Sequence, residues 1–479
     1  MLKKKLEFNG VTALFAFAFL IAGIKLMIVA SYGNITPFWD QWDAEAEGLF
    51  RPFLEGFLNW KDLVAPHNEH RILAGRLLAL LLLVLNGGVW SPLAEMVVNA
   101  LLHTMALLLV VYGIGKVFLD KATRIAFTLF AAILFSIPLG WENILTNNSS
   151  LYLLLVFSVI FLWALFSACR GSALWYVIVV GSALMSCLTL ASGALTVASG
   201  IALLAVQWVT GVRRDKTSTA VMVLLLLILF AAIHFTPTIE GNAALKSKSI
   251  LDFLIALLRT TGGFVLYIPS VVFMLRQLRR PPVSSDPSWF LFSLSLWVCS
   301  QILILCYGRS HGILASRYFD TFAIGLAVNF ASLLVLMNGG GSRLKRAFQT
   351  WIVLVFLGIG FFFPGVAGNL ENRRAEGHEH ELHVRAYLKT RDMAILQDKA
   401  PERVPYPDPV RLKTLLDNGT IQSFLPRALF ADEKSSGWAD SAKFAANIFL
   451  IGSLLTGTGV GLFLVELFSK EKSLPLSDS

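Results

Sequence analysis

Long apolar stretches separated by short polar turns dominate the chain. They begin near residues 11, 72, 91, 125, 150, 174, 194, 218, 250, 287, 317, 347 and 444. Most approach the roughly 20 residues that a helix needs to cross about 30 Å of hydrocarbon. The pattern predicts an all-α polytopic membrane protein. Thirteen crossings, however, conflict with the charges. Lys3, Lys4 and Lys5 place the amino terminus in the cytoplasm by the positive-inside rule, so the run at 11–30 leads outward. If 72–86 and 91–112 both crossed, Lys116, Lys121 and Arg124 would lie outside. The run at 72–86 is the shortest, carries Arg76 and follows a polar segment. Read as a juxtamembrane or half-inserted helix on the outer side, it leaves about 12 transmembrane helices with both termini cytoplasmic. Six basic groups then share the inner face: Lys116/Lys121/Arg124, Arg170, Arg213/Arg214/Lys216, Arg276/Arg279/Arg280, Arg343/Lys345/Arg346 and Lys470/Lys472.

The outer face receives a long first loop, 31–90, short loops near 141–150, 191–193, 237–249 and 308–316, and a polar segment at 369–443. The expected division is a transmembrane module at 1–368, a partly helical extracytoplasmic segment at 369–443, and a last crossing with a cytoplasmic tail at 444–479. Within 369–443, a charged helical pattern at 371–399 leads to a Pro-rich turn at 401–409. Leu412, Leu415, Leu416, Ile421, Phe424 and Leu425 follow. So few hydrophobes make a weak core alone, and the segment is expected to pack on the membrane part as a lid.

Composition narrows the class. The 479 residues are 56% apolar and 15% charged, against roughly 45–50% and 25% in soluble domains. Disorder, a disulfide scaffold and a secreted globule are excluded. The net charge of +9 comes mainly from short basic clusters between apolar runs, so nucleic acid is not an expected partner. The cytoplasmic loops leave no room for a nucleotide-binding domain and hold no G-x-x-x-x-G-K loop, which disfavours an ATP-driven pump.

Three outer motifs carry the candidate chemistry. The first loop opens Pro37-Phe38-Trp39-Asp40-Gln41-Trp42-Asp43, two carboxylates among indoles just past a membrane helix. A carboxylate partly desolvated beneath aromatics can act as a general base; an interfacial aromatic belt with hydrated acids accounts for the same residues. Next, His67-Asn68-Glu69-His70-Arg71 precede the juxtamembrane helix. Arg71 suits a phosphate, and Asn68 and Glu69 suit sugar hydroxyls. His67 and His70 with Asp40 or Asp43 form a minority metal reading, because H-x-x-H lacks the H-E-x-x-H form. Asn68 also fits a helix N-cap.

The third motif, 308–318, supplies Arg309, His311, Arg317 and Tyr318 at an outer boundary. Arginine forks suit a lipid phosphate or pyrophosphate, and headgroup anchoring of Arg317 is the competing account. Arg259 sits about two turns inside the crossing at 250, where an unpaired charge calls for a carboxylate partner or a bound anion. Lys25, nearer the outer end of its helix, can snorkel. Trp141-Glu142-Asn143 and Asn147 suit either a polar substrate or a turn. His378, His380 and His383 read as a solvated helix face, and His103 as a buried, hydrogen-bonded histidine.

In this order the motifs resemble the integral-membrane glycosyltransferases of the GT-C superfamily. The likeness covers the first 170 residues best: one helix out, a long outer loop opening with acids, a His-containing motif, a juxtamembrane helix, and a crossing back to a basic turn. Asp40-Gln41-Trp42-Asp43 stands where the superfamily loop typically opens Asp-Glu. His67-Asn68-Glu69-His70 replaces the His-Pro-Pro stretch of relatives of the mannosyltransferase type. The resemblance implies a sugar donor on a polyprenyl phosphate, undecaprenyl phosphate in a bacterium. Transfer would be to a glycan, lipid or protein acceptor on the outer face of the plasma (bacterial inner) membrane, with inversion, in cell-envelope polysaccharide biosynthesis.

By that likeness Asp40 is the catalytic base, and Arg71, Arg309, Arg317 or Arg259 stabilises the departing phosphate. Asp43, His67, Glu69 and His70 position the acceptor, and Asn68, His311 and Tyr318 complete the substrate-binding set. No cofactor is firmly implied, and a divalent metal is the lesser alternative. An O-antigen polymerase or ligase is the nearest rival, with a pyrophosphate leaving group and an arginine-rich large loop. A transporter or lipid flippase would place charges at mid-membrane, as Arg259 suggests.

Overall fold

The computed structural model describes residues 10–146, 148–166, 171–237, 240–261, 265–337, 342–397, 399, 401–430 and 442–468. Lys3, Lys4, Lys5, Asn147, Arg170, Lys470 and Lys472 lie outside the described residues, as does the side chain of Arg343. Helix occupies each of the twelve expected crossings, and among the described residues no strand forms beyond one bridge between His67 and His70. Eight helices are long and apolar enough to cross a bilayer: Val11–Tyr32, Pro92–Gly115, Ser149–Phe166, Lys216–His234, Ser288–Gly308, Ser316–Met337, Leu344–Thr390 and Lys443–Phe468. The chain is an all-α, multi-pass membrane protein. The other four expected crossings are short or interrupted. Lys121–Ser136, Ala173–Cys187 and Gly193–Val209 hold 16, 15 and 17 residues, or roughly 22–26 Å at the helical rise. The run at 250 divides into Ile250–Thr261 and Ile268–Arg279.

Local chemistry sets the helix ends. Asp120, Ser172 and Asp215 each accept a backbone N–H of the helix that follows, from Thr123, Trp175 and Ser218, the preferred N-cap arrangement. Lys116 lies over the Tyr112 ring at 4.6 Å, and Arg214 over Trp208 at 5.5 Å. The first and last helices pack backbone to backbone, as small residues allow in lipid. A Cβ on Gly23 would meet the Gly452 carbonyl oxygen at 2.5 Å and the Thr456 nitrogen at 2.6 Å. At one end of this pair Lys121 meets Glu466 at 3.1 Å.

The helix expected to be juxtamembrane spans Leu73–Leu85, 13 residues and about 20 Å. Its buried Arg76 donates to the carbonyls of Leu63 and Ala65, at 3.1 and 2.6 Å. The expected N-cap role of Asn68 is corrected. Asn68 sits instead at positive φ (50°) in a turn closed by His67 N–H to His70 O (2.8 Å) and His70 N–H to His67 O (3.0 Å).

The helix Ser342–Thr390 has 49 residues, about 74 Å and more than twice the hydrocarbon thickness. Its second half therefore extends beyond the hydrocarbon as a stalk. There Val384, Tyr387 and Leu388 join Leu412, Leu415, Leu416, Ile421, Phe424 and Leu425 in a core with Trp42, Leu49, Phe50, Leu83 and Trp90. Trp90 donates its backbone N–H to Phe424 O at 2.7 Å, and the Phe50 ring meets Trp90 and Phe424 edge-on at 5.4 and 5.7 Å. The few hydrophobes of the outer segment thus do not form a core alone. They complete the core of the first loop.

Candidate active site

The turn bearing Asp40 is fixed from three directions. Gln41, buried, accepts from Phe38 N–H at 2.9 Å and donates to Glu95 at 3.0 Å; Glu95 also takes the Trp90 indole N–H. Phe38 stacks on His380 at 5.5 Å, with the Arg373 guanidinium 3.9 Å from its ring centroid. Trp39 donates its backbone N–H to Pro405 O at 2.7 Å. A π-helical segment follows, Trp42–Phe50; such wide turns recur at functional sites. The Asp40 side chain remains 68% exposed, with His67 Nε2 3.5 Å from its carboxylate. The His67 ring holds the Asp40 carboxyl below its usual value against the effect of burial, with Arg317 in electrostatic reach.

Two further turns face this one. His70 accepts the Ala191 backbone N–H at Nδ1 (3.3 Å) and places Nε2 3.8 Å from Glu69; burial lowers its pKa, which favours the neutral ring. Glu69 pairs with Arg309, joining the 67–70 turn to the 308–318 loop. On that loop Arg317, 49% exposed, meets Glu142 at 3.1 Å. Ser316 donates to the same carboxylate at 3.0 Å, and the half-buried Tyr318 ring lies 5.5 Å from the Arg317 guanidinium.

The structure thus gathers Asp40, His67, Asn68, Glu69, His70, Arg309, Arg317 and Tyr318, and assigns four predicted residues other surroundings. Asp43 accepts both Nε and Nη2 of Arg411, at 3.1 and 2.9 Å, and the Tyr406 hydroxyl. It ties the outer segment down, and this contact together with burial pushes the Tyr406 pKa up to about 12. Arg71 gives its guanidinium to the carbonyls of Val64 (2.8 Å) and Phe235 (3.1 Å), which leaves it clamping chain rather than facing a phosphate. Arg259 is not the partnered internal charge that its position implied. Its helix buries Ala256 and Leu257 and turns Arg259 outward, and no ion pair to it forms among the described residues. His311 is exposed, in electrostatic reach of Asp252.

Beneath Arg317 lies a buried polar cluster. Asn143 donates to the Arg317 carbonyl at 2.9 Å and to Asp320 at 2.8 Å; Tyr152 donates to the same Asp320 oxygen at 3.2 Å. His103 Nε2 lies 3.8 Å from Asp320 and its ring stacks on Tyr152 at 4.2 Å. Lys25 is 4% exposed and in electrostatic reach of Asp320. The snorkelling expected of Lys25 is therefore corrected: it faces inward. Asp320 was missed because it reads as the polar edge of an apolar run; a carboxylate in the first turn of a crossing was the available signal. Beside Glu142 opens a cleft of about 320 Å³, lined among others by Trp141, Ser316, Phe319, Phe362 and Val366. The Trp141 indole N–H is buried and has no protein acceptor among the described residues. Among the described residues no group of three or more His, Cys, Asp or Glu side chains is arranged to hold a metal ion.

No protein-family model matches the chain, and no curated protein matches it. Among solved structures, the crystal structure of the Archaeoglobus fulgidus oligosaccharyltransferase in complex with zinc and sulfate is similar, at 13% identity and a TM-score of 0.46. The similarity covers 81% of this chain and 58% of that one, so the chain spans less than two thirds of its length.

Proposed function

We propose that this protein is a membrane glycosyltransferase that moves a sugar from a polyprenyl-phosphate donor to an acceptor hydroxyl on the outer face, with Asp40 as the base. The supporting observation is one exposed carboxylate, Asp40, in electrostatic reach of Arg317, whose partner Glu142 and neighbour Ser316 line a cleft that is apolar at Phe319 and Phe362. An acceptor oxygen attacks the anomeric carbon as its proton passes to Asp40. The bond from that carbon to the phosphate oxygen breaks, and the phosphate leaves with the electron pair. A single displacement inverts the anomeric centre.

Arg317 is suited to the departing charge because its side chain is half exposed in its pairing with Glu142, an ion pair of modest worth where water reaches it, and exchanges for a phosphate. Arg309, tied to Glu69, supports the loop. The cleft takes the first isoprenoid units. The charge that spoke for transport, Arg259, faces outward instead of into a polar path.

The test uses full-length protein in nanodiscs with polyprenyl-phosphate-linked radiolabelled sugars, following label from the organic to the aqueous phase. Asp40→Asn abolishes transfer without changing the melting curve; wild-type turnover in that variant removes Asp40 as the base. Arg317→Ala raises KM for the donor more than for the acceptor, and equal donor kinetics make it an anchoring residue.

A further inference from the structure

Trp39 occupies a backbone conformation that its side chain disfavours. Three non-glycine residues among those described have positive φ: Trp39 at 50°, Asn68 at 50° and Arg391 at 61°. Asn tolerates that region through its short polar side chain, whereas a bulky residue there is a strained exception. A turn that only had to reverse direction is served at lower cost by Gly. Here the strain is enforced by the Pro405 carbonyl on the Trp39 N–H, by Gln41 on Phe38, and by the Arg373 and His380 contacts to the Phe38 ring. The indole so held is 44% exposed, whereas Trp42 and Trp90, its neighbours in the outer core, are 0% and 1% exposed.

The exposed indole immediately precedes the exposed Asp40 carboxylate. Pro405 and Tyr406 border the same turn, since Tyr406 bonds Asp43 and lies in electrostatic reach of Asp40. An aromatic face is apolar and electron-rich, and a carboxylate beside it accepts hydrogen bonds. The molecule that matches both is a pyranose, whose C–H-lined face seats on a ring while hydroxyls project from its edge. A phospholipid matches less well: its phosphate is repelled by Asp40, and acyl chains do not pack against an exposed carboxylate.

We infer that Trp39 is the platform of a carbohydrate subsite, on which a pyranose stacks with one hydroxyl at Asp40 and the Pro405–Tyr406 turn as its rim. Naming this sugar the acceptor rests on the transferase reading and narrows it to a glycan; the binding itself requires no chemistry.

Saturation-transfer NMR on full-length protein in nanodiscs tests it, with methyl glucosides, galactosides and mannosides and their β-linked disaccharides as probes. At least one probe shows saturation of the protons on its apolar face, and Trp39→Ala weakens that binding about tenfold. Trp39→Phe retains most of it. Trp39→Gly removes the ring while relieving the positive φ, so it melts no lower than wild type yet loses the signal. Undiminished sugar binding in Trp39→Ala and Trp39→Gly overturns the proposal. So does loss of fluorescence quenching by brominated lipid in Trp39→Phe, which makes the residue a membrane anchor. If Trp39 variants bind sugar normally while Asp40→Asn is inactive, the subsite fails alone. If they lose sugar while Asp40→Asn turns over normally, the subsite stands and the proposed catalytic role fails.

Discussion

Removing Lys25 tests whether the cluster beneath Arg317 behaves as a coupled ionic unit. Lys25 and Asp320 are 4% and 8% exposed, and Asp320 also receives Asn143 and Tyr152. The two act on each other through space rather than by direct contact, so the cost of breaking a directly paired buried charge from one side, about 3–5 kcal/mol, is the upper bound. Lys25→Met leaves Asp320 with two neutral donors, which places it near the lower end, about 3 kcal/mol. Asp320→Ala strands Lys25, takes one acceptor from Asn143 and orphans the Tyr152 hydroxyl, which places it near 5 kcal/mol. The double variant Lys25→Met/Asp320→Asn removes both charges and keeps an acceptor for Asn143, so it loses only about 1–2 kcal/mol. At roughly 2 °C per kcal/mol for a large chain, the melting temperatures fall by about 6, 10 and 3 °C. Melting in nanodiscs of fixed lipid composition, followed by the 12 tryptophans, reads these shifts. If the double variant falls by as much as Lys25→Met and a separate Asp320→Asn combined, the two residues are uncoupled and the reasoning fails.

Three other outcomes follow from separate contacts. The Asp43–Arg411 pair is about a third exposed on each side, so Arg411→Ala costs about 1 kcal/mol; hydrogen exchange in 404–424 rises, more so at low salt, where the wild-type pair is strongest. His67 lowers the Asp40 pKa, so the base form persists to a pH below about 3.9, the ordinary carboxylate value. The acid limb of kcat/KM therefore lies below that pH in wild type and moves upward in His67→Ala; the stability tied to this shift is present above the unfolded pKa and is lost as pH falls through the folded one. Gly23→Val drives its Cβ toward the Gly452 carbonyl and costs about 2 kcal/mol or more by melting. Gly461→Val, with nothing within 4 Å of its added Cβ, is the matched control.

Helices were legible because lipid and backbone chemistry leave a long apolar run one local solution. That the run at 72–86 forms a short helix was legible because it is the shortest apolar run and carries Arg76. Which way a polar side chain turns was not legible, since that depends on neighbours distant in sequence. Asp40 and Asp43 were both read into the site, yet Arg411 and Tyr406 claim Asp43 and leave Asp40 exposed. Arg71 and Arg309 both looked like phosphate ligands, but carbonyls of Val64 and Phe235 hold the first and Glu69 the second. Hydropathy made Lys25 and Arg259 a peripheral and an internal charge respectively, and helix packing reverses them. The outer core also escaped, because its residues are divided between the first 90 positions and 384–429, and neither set shows a complete apolar face alone.

The two sides of the site differ in how firmly they are held, and on the transferase reading that difference implies an order of events. The Asp40 turn is fixed by Glu95 through Gln41, by the stalk through Phe38, and by Pro405 through Trp39. Three non-contiguous segments must shift together before it moves, so this side is preformed. Arg317 has its backbone pinned by Asn143, but its guanidinium holds Glu142 through a half-exposed contact. Exchanging that carboxylate for a phosphate needs only a side-chain rotation and releases Glu142 at the mouth of the cleft. Donor binding is then the step that reorganises the site. The acceptor meets a carboxylate already in place, and an unproductive donor pose is corrected at the arginine, where rearrangement is cheap.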